Sequence, residues 1–402
     1  MQWKIPLADL NYGPEEEEAV ARVIRSRWLT MGEQTSRFEE EFRRFTGARH
    51  AFALSNCTVA LHLACAALEI GPEDEVIVPS LSFVATANAV LYTGAKVRFA
   101  DIIGPADLTL SPQSVQSLIN DRTKAIVVMH YGGYPCQMDE IMQIARAKGL
   151  RVIEDVAHAP GAWKNGKHLG TIGDVGCFSF FSNKNLSTGE GGMLITDQDD
   201  IADRVRKMRS HGMTTLTWDR HRGHAYSYDV IALGYNYRID EIRAALGIQQ
   251  LGKLLMGNNK RKAITESYWK TLQSSGAEFP FRDAYQGIPA IETESTSPEQ
   301  EKNRTASACH IFPLLLPKGV DRLRFIEGMR AAGIQTSIHY PPIHRFEYYR
   351  KQYPNVALPT TEDVAAREVT LPLYPGMRDD QVEYVAQTVL RVMDSVSCSP
   401  RD

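Results

Sequence analysis

Arg151-Val152-Ile153-Glu154-Asp155-Val156-Ala157-His158-Ala159 begins as a short apolar run and ends in two acids followed by small residues. Such a run suits a strand covered by helices on both sides of its sheet, with its carboxyl end opening toward a ligand. The flanking chain repeats the pattern. Residues 51–54, 75–78, 125–128, 177–181 and 193–196 carry similar β-like runs, and amphipathic helical stretches such as 138–148 and 201–209 lie between them. Residues 14–27 and 38–45 also read as helices, the first with acidic residues gathered where the helix dipole favours them. The alternation over residues 13–255 predicts an α/β layer fold.

Beyond it the pattern changes. Residues 240–255 read as a helix leading out of the first domain, and 260–274 as a second helix. Residues 281–304 are polar, with Thr293-Glu294-Ser295-Thr296-Ser297-Pro298-Glu299 at their centre, and read as an exposed, mobile loop. The run 310–316, a helix over 321–332 and a closing helix over 379–394 then suggest a small α/β domain.

At 402 residues the chain is long enough for a large domain and a smaller one, each with its own core. A net charge of −3 gives no reason to expect nucleic acid or a membrane surface as the main partner. The cysteines Cys57, Cys65, Cys136, Cys177, Cys309 and Cys398 form no C-x-x-C pair, which argues against a disulfide framework and a cysteine-rich zinc site. Met1-Gln2-Trp3-Lys4-Ile5-Pro6 lacks the apolar core of a signal peptide, and no apolar run approaches membrane-spanning length. The expected compartment is the reducing cytosol.

Four segments carry chemistry. In Phe178-Ser179-Phe180-Phe181-Ser182-Asn183-Lys184-Asn185-Leu186-Ser187-Thr188-Gly189-Glu190-Gly191-Gly192, one lysine sits between a hydrophobic strand and a glycine-rich turn. A Schiff-base lysine needs such a firmly held, partly desolvated place, where burial favours the amine that attacks an aldehyde. The plainer reading is a surface turn with a solvated lysine. Asp155, at the end of its strand, can pair with the ring nitrogen of an aromatic cofactor and keep it protonated, and His158 can reach a phenolic oxygen of the same ring. A helix cap and a satisfied core histidine are the plainer roles. Leu54-Ser55-Asn56-Cys57-Thr58-Val59 leads from a strand into an alanine-rich helix, and its free N–H groups with the Ser55 and Thr58 hydroxyls suit a phosphate, or simply cap the helix. Phe83, after a β run, can stack on a flat ring or be buried in the core.

Taken together these segments resemble the DegT/DnrJ/EryC1/StrS family of sugar aminotransferases almost end to end. The matching stretches are Trp28-Leu29-Thr30-Met31-Gly32, Asn56-Cys57-Thr58, Asp74-Glu75-Val76-Ile77-Val78-Pro79, Glu154-Asp155-Val156-Ala157-His158-Ala159, Lys184-Asn185 through Gly192, Gly234-Tyr235-Asn236-Tyr237-Arg238, Ile338-His339-Tyr340-Pro341 and Leu371-Pro372-Leu373-Tyr374-Pro375. The resemblance implies a fold-type I, pyridoxal-phosphate (PLP) dependent transferase: a large domain with a mixed, mostly parallel seven-stranded sheet between helices, and a small C-terminal α/β domain. The division expected is an N-terminal arm 1–12, a large domain 13–257 and a small domain 258–402 holding the polar loop 281–304.

By matching position, Lys184 is the Schiff-base lysine, Asp155 the partner of the ring nitrogen and His158 a neighbour of the ring oxygen. Cys57, Thr58 and Ser179 fall at the phosphate and Phe83 on the ring face. Asn236 reaches the phosphate of the neighbouring subunit in a homodimer. His339 and Tyr340 line the sugar side. Apart from the resemblance, Arg220 in a short basic loop with His221, Arg222 and His224 can meet phosphate groups of the substrate, or is simply solvated. The implied reaction moves an amino group from glutamate or glutamine to a keto-sugar, expected to be nucleotide-linked, in amino-sugar biosynthesis. Pyridoxamine phosphate is the intermediate form of the cofactor, and the kinetics are ping-pong. Cys57 departs from the glycine of many members. The dehydratase relatives carry histidine where this chain has Lys184, which points to transamination. A cyclitol or non-nucleotide sugar acceptor and a non-catalytic sensing role are the competing readings; a metal site at His339 and His344 lacks a third ligand at suitable spacing.

Overall fold

The apolar runs pair into one sheet. The computed structural model describes residues 3–214, 227–290 and 304–397. Its main strands are β1 (His50–Leu54), β2 (Glu75–Pro79), β3 (Lys96–Ala100), β4 (Thr123–Met129), β5 (Arg151–Asp155), β6 (Val175–Ser179) and β7 (Gly192–Thr196), in the order β1-β7-β6-β5-β4-β2-β3. Only β7 runs against its neighbours, antiparallel to both β1 and β6; the pairs from β6 to β3 are parallel. This is the seven-stranded, mostly parallel sheet that the resemblance implied.

Alternate residues of each strand feed opposite faces. Val76, Val78, Val127, Ile153, Cys177 and Leu194 pack on one side with helix α1 (Cys57–Ala67), which is apolar nearly all round and buried accordingly. On the other side lie Ile77, Ile126 and Val152, with Phe178, Met193 and Ile195 beside Phe38 and Phe42 of the helix Glu33–Thr46. The sheet is therefore sandwiched, and its parallel strands all deliver their carboxyl ends to one rim.

Three expectations are corrected. Strand β3 was not among the β-like runs. The two helices expected over 240–255 and 260–274 are one 31-residue helix, α2 (Glu241–Thr271), capped by the Asp240 carboxylate accepting from Arg243 N at 2.9 Å. Gly257-Asn258-Asn259 lowers helix propensity, but tertiary contacts of Asn258 compensate. The polar stretch 281–304 does not start as an exposed loop: Phe281 is buried and stacked on Tyr134, with ring centroids 4.1 Å apart and planes 7° apart. Arg282–Tyr285 forms a short helix behind it. Residues 291–303 lie outside the described residues.

A second apolar cluster gathers around the antiparallel pair β8 (Phe312–Leu315) and β9 (Glu368–Leu371). Tyr268 and Trp269 of α2 join Phe325, Met329, Val385 and Val389 there, together with Leu81, Ile102 and Met129 from around the first sheet. No helix among the described residues is long and apolar enough to cross a membrane.

Candidate active site

Asp155 closes β5 at the rim and is only 4% exposed. Thr86 Oγ1 donates to its Oδ2 at 2.8 Å and Ala157 N to its Oδ1 at 3.2 Å, while Ser82 Oγ lies 2.7 Å behind Thr86. No helix starts there, so capping does not explain the carboxylate. Burial pushes its pKa up against these donors and the nearby Lys184 charge. A cationic partner in the pocket would offset that burial.

Lys184 stands in a closed loop just past β6. Phe180 N donates to Gly191 O and Lys184 N to Phe181 O, each at 2.9 Å, and Gly189 takes the turn at φ +82°. The stem of Lys184 is half-buried, and desolvation brings the amine's pKa down to about 8, against the pull of Asp155 and Cys57. With its side chain half-buried and its amine 3.5 Å from the buried His310 ring, Lys184 is not placed as a solvated surface lysine.

Three histidines crowd the amine. His158 accepts from Gly132 N at Nδ1, 3.3 Å away, so its Nε2 carries the hydrogen and donates to Tyr340 Oη at 2.8 Å. His310 Nε2 lies 3.5 Å from Lys184 Nζ, and its ring centroid is 4.4 Å from that of His158. His339 hydrogen-bonds Thr370 Oγ1 through Nδ1 at 2.7 Å, and Thr370 in turn donates to Glu368 at 2.6 Å. Burial, reinforced by the Lys184 charge, holds all three below the usual histidine range, His339 down to about 3. They are uncharged at neutral pH.

The opposite end of the site is built by register. Leu54 of β1 faces Gly192 of β7, which faces Ser179 of β6. A Cβ on Gly192 would stand 2.8 Å from Cys57 N and 2.5 Å from Asn56 C, so only glycine lets this strand run against the start of α1. Asn56 caps that helix by accepting from Val59 N at 3.0 Å. Cys57 and Thr58 open α1, where a helix has no carbonyl of its own for their N–H groups, and Gly192 beside them pairs with Ser179. Phe83, 57% exposed and tilted toward Tyr340 at 6.1 Å, stands over the rim rather than in the core.

The structure thus gathers Lys184, Asp155, His158, Cys57, Thr58, Ser179, Phe83, His339 and Tyr340 around one rim. Asn236 is exposed, on a segment bridged to Ser210. Arg220 lies outside the described residues. Sequence reasoning missed Thr86, the orienter of Asp155, and His310, whose one visible signal is a lone histidine opening an apolar run. A buried carboxylate, a lysine of lowered basicity, uncharged imidazoles and an open helix start can together hold an anionic, protonated heteroaromatic aldehyde and move protons beside it.

A model of the DegT/DnrJ/EryC1/StrS aminotransferase family matches residues 11–390. The chain is 38% identical to the spore coat polysaccharide biosynthesis protein SpsC of Bacillus subtilis over 384 residues, 94% of each protein. It also superposes on Helicobacter pylori PseC, an aminotransferase involved in the biosynthesis of pseudoaminic acid, with a TM-score of 0.87 and 26% identity over 98% of this chain and 100% of PseC. Against DesV of S. venezuelae, solved in complex with a ketimine intermediate, the TM-score is 0.84 with 30% identity over 98% and 99% of the two chains.

Proposed function

Since the chain belongs to the DegT/DnrJ/EryC1/StrS aminotransferase family, we propose that it is a PLP-dependent enzyme that moves an amino group from glutamate or glutamine to a keto-sugar, nucleotide-linked, in amino-sugar biosynthesis. The observation that carries this reading is the Lys184 amine set beside the buried Asp155 carboxylate at the sheet's rim, where desolvation brings the lysine's pKa down to about 8 against the pull of that carboxylate. At pH 7 about a tenth of such amines are neutral, far more than for a solvated lysine.

The residues fit the cofactor. The open N–H groups of Cys57 and Thr58 with the Ser179 hydroxyl suit its phosphate, Asp155 its ring nitrogen, Phe83 its face and His158 its ring oxygen. When bound, PLP supplies an aldehyde for the donor's amino group and a ring that accepts electrons from the carbon being deprotonated. Asp155, oriented by Thr86 and Ala157, keeps a proton on the ring nitrogen. Lys184 Nζ would take the proton from the donor's α-carbon and deliver it to the cofactor's former aldehyde carbon, and would carry it the opposite way for the sugar. The uncharged His158 and His339 avoid adding positive charge around that amine. Tyr340 and Phe83 limit access of water from the rim. Two half-reactions at one site give ping-pong kinetics.

We further read the enzyme as a homodimer in which Asn236 serves the neighbouring site. The exposure of Asn236 beside exposed Tyr228, Val230, Ile231 and Leu233 supports this. The buried, unpaired cysteines Cys57, Cys65, Cys136, Cys177 and Cys309 support a cytosolic location.

The test is a visible spectrum of the purified protein with PLP, before and after glutamate or glutamine, followed by a screen of nucleotide keto-sugars. A Schiff-base band that either donor converts is the expected result, and Lys184→Ala should abolish both band and turnover. Wild-type transamination by that variant would sink the assignment of the lysine.

A further inference from the structure

Behind Lys184 a line of side chains leads to the middle of α2, and its polarity can be read from carbonyls that only accept. Asn258 Nδ2 donates to Pro160 O at 3.0 Å and Gly161 O at 3.4 Å. Its Oδ1 therefore accepts from Asn185 Nδ2, at 2.8 Å. That same nitrogen of Asn185 donates to Ala308 O at 2.8 Å, which leaves Asn185 Oδ1 facing His310 Nδ1 at 2.9 Å. An amide oxygen cannot donate, so the hydrogen sits on His310 Nδ1 and Nε2 is a bare lone pair. That lone pair faces Lys184 Nζ.

We propose that Asn258 and Asn185 lock His310 as its Nδ1–H tautomer, so that the bare Nε2 holds the Lys184 amine in a fixed direction. His310 is a positioning residue, acting through Lys184, and its importance for catalysis rests on Lys184 being the reactive lysine. The need is physical. A free lysine amine on a four-carbon stem has many rotamers to lose before it can reach a substrate carbon, and an acceptor that cannot turn donor selects those with an N–H aimed at it. The other groups close enough to act electrostatically on the amine are Asp155 and Cys57, which favour its charge, and His158 and His339. Arg261 faces His310 from α2, its Nη1 donating to His310 O at 3.2 Å. Burial, helped by the Lys184 and Arg261 charges, keeps the imidazole uncharged and its lone pair available.

The test labels the full chain, freed of cofactor, with trace acetic anhydride across pH and quantifies the Lys184 peptide by mass spectrometry. His310→Leu removes an acceptor that favours the protonated amine, so half-labelling should move to lower pH, with about tenfold more neutral amine at a given pH. His310→Gln, whose amide oxygen can stand near the Nε2 position, should follow the wild type. Identical profiles for wild type and His310→Leu, or a His310→Gln profile that follows His310→Leu, overturn the proposal. Should the leucine variant not fold, nitrogen-15 spectra of histidine-labelled wild type decide. The signal missing from His310→Gln should report a bare Nε2, and an Nε2–H ring there overturns the proposal. These measurements need no cofactor. Failure of borohydride to fix PLP on Lys184 would instead sink the assigned function and leave the imidazole contact standing.

Discussion

At pH 7 the Lys184 amine is largely charged in a place that disfavours charge, and Lys184→Met removes that charge while keeping an unbranched side chain of similar length. Burial brings the amine's pKa from 10.5 down to about 8; at 1.36 kcal/mol per tenfold, this corresponds to about 3 kcal/mol. The side chain is half-buried and part of the charge's field is screened by solvent, so a gain of about 2 kcal/mol is expected for the cofactor-free variant. The pH dependence has a definite sign. The unfolded chain keeps this proton up to about pH 10.5 and the folded chain releases it near 8, so wild-type stability rises with pH between those values. The variant has no such proton to lose. Urea unfolding midpoints at fixed protein concentration should therefore show Lys184→Met the more stable at pH 7, with the gap closing as pH climbs from 8 toward 10.5. A variant less stable than wild type at pH 7, or a gap indifferent to pH, refutes the idea that burial sets this lysine's affinity for its proton.

Asp155→Asn keeps the shape beside Thr86 and removes the charge, so kcat/KM should fall by about a hundredfold or more; near-normal steady-state kinetics would reject its role at the ring. Asn236→Ala should raise the PLP concentration for half-saturation by about tenfold. Co-expressed with Lys184→Ala at limiting cofactor, it should recover about a quarter of wild-type sites through mixed dimers, and no recovery at all would argue against a shared site. Phe42→Ala opens a hole beside Phe178, whose ring centroid is 4.9 Å away at 77°, and beside Phe180. A loss of about 4 kcal/mol in urea unfolding is expected, and a loss under 1 would mean that this side of the sheet repacks.

The strands that the sequence made legible are those buried on both faces, because continuous apolar runs such as 76–78 and 126–128 have few other homes. Strand β3 escaped because its apolar run is broken: Lys96 is exposed and Arg98 half-buried, so only Val97, Phe99 and Ala100 signal burial. The junction inside α2 escaped for a different reason. Asn258 weakens the helix locally, and what offsets this is its hydrogen bonds to Pro160, Gly161 and Asn185, remote in sequence. In the site, Lys184 and Asp155 drew attention because each has its signal in adjacent residues, Asp155 closing its strand and Lys184 in the turn just past the next one. His310 could not, since its meaning depends on Asn185, 125 residues earlier. Phe281 was hidden by polar company, its partner Tyr134 being far away in the chain.

Helix α2 also has a phase. Asn258, Arg261, Thr265 and Tyr268 follow one another at helical spacing along one buried stripe. Asn258 reaches the Lys184 neighbourhood, Arg261 Nη1 the carbonyls of His310 and Leu373, and Tyr268 Oη that of Pro372. Adding or deleting one residue between Glu241 and Asn258 would rotate everything downstream by about 100°, swinging Asn258 away from Asn185 and dragging the second core out of alignment with the first. Descendants of this chain can therefore exchange side chains freely on the outward flank of the rod, but a single-codon insertion or deletion within it is closed to any lineage that keeps the enzyme working.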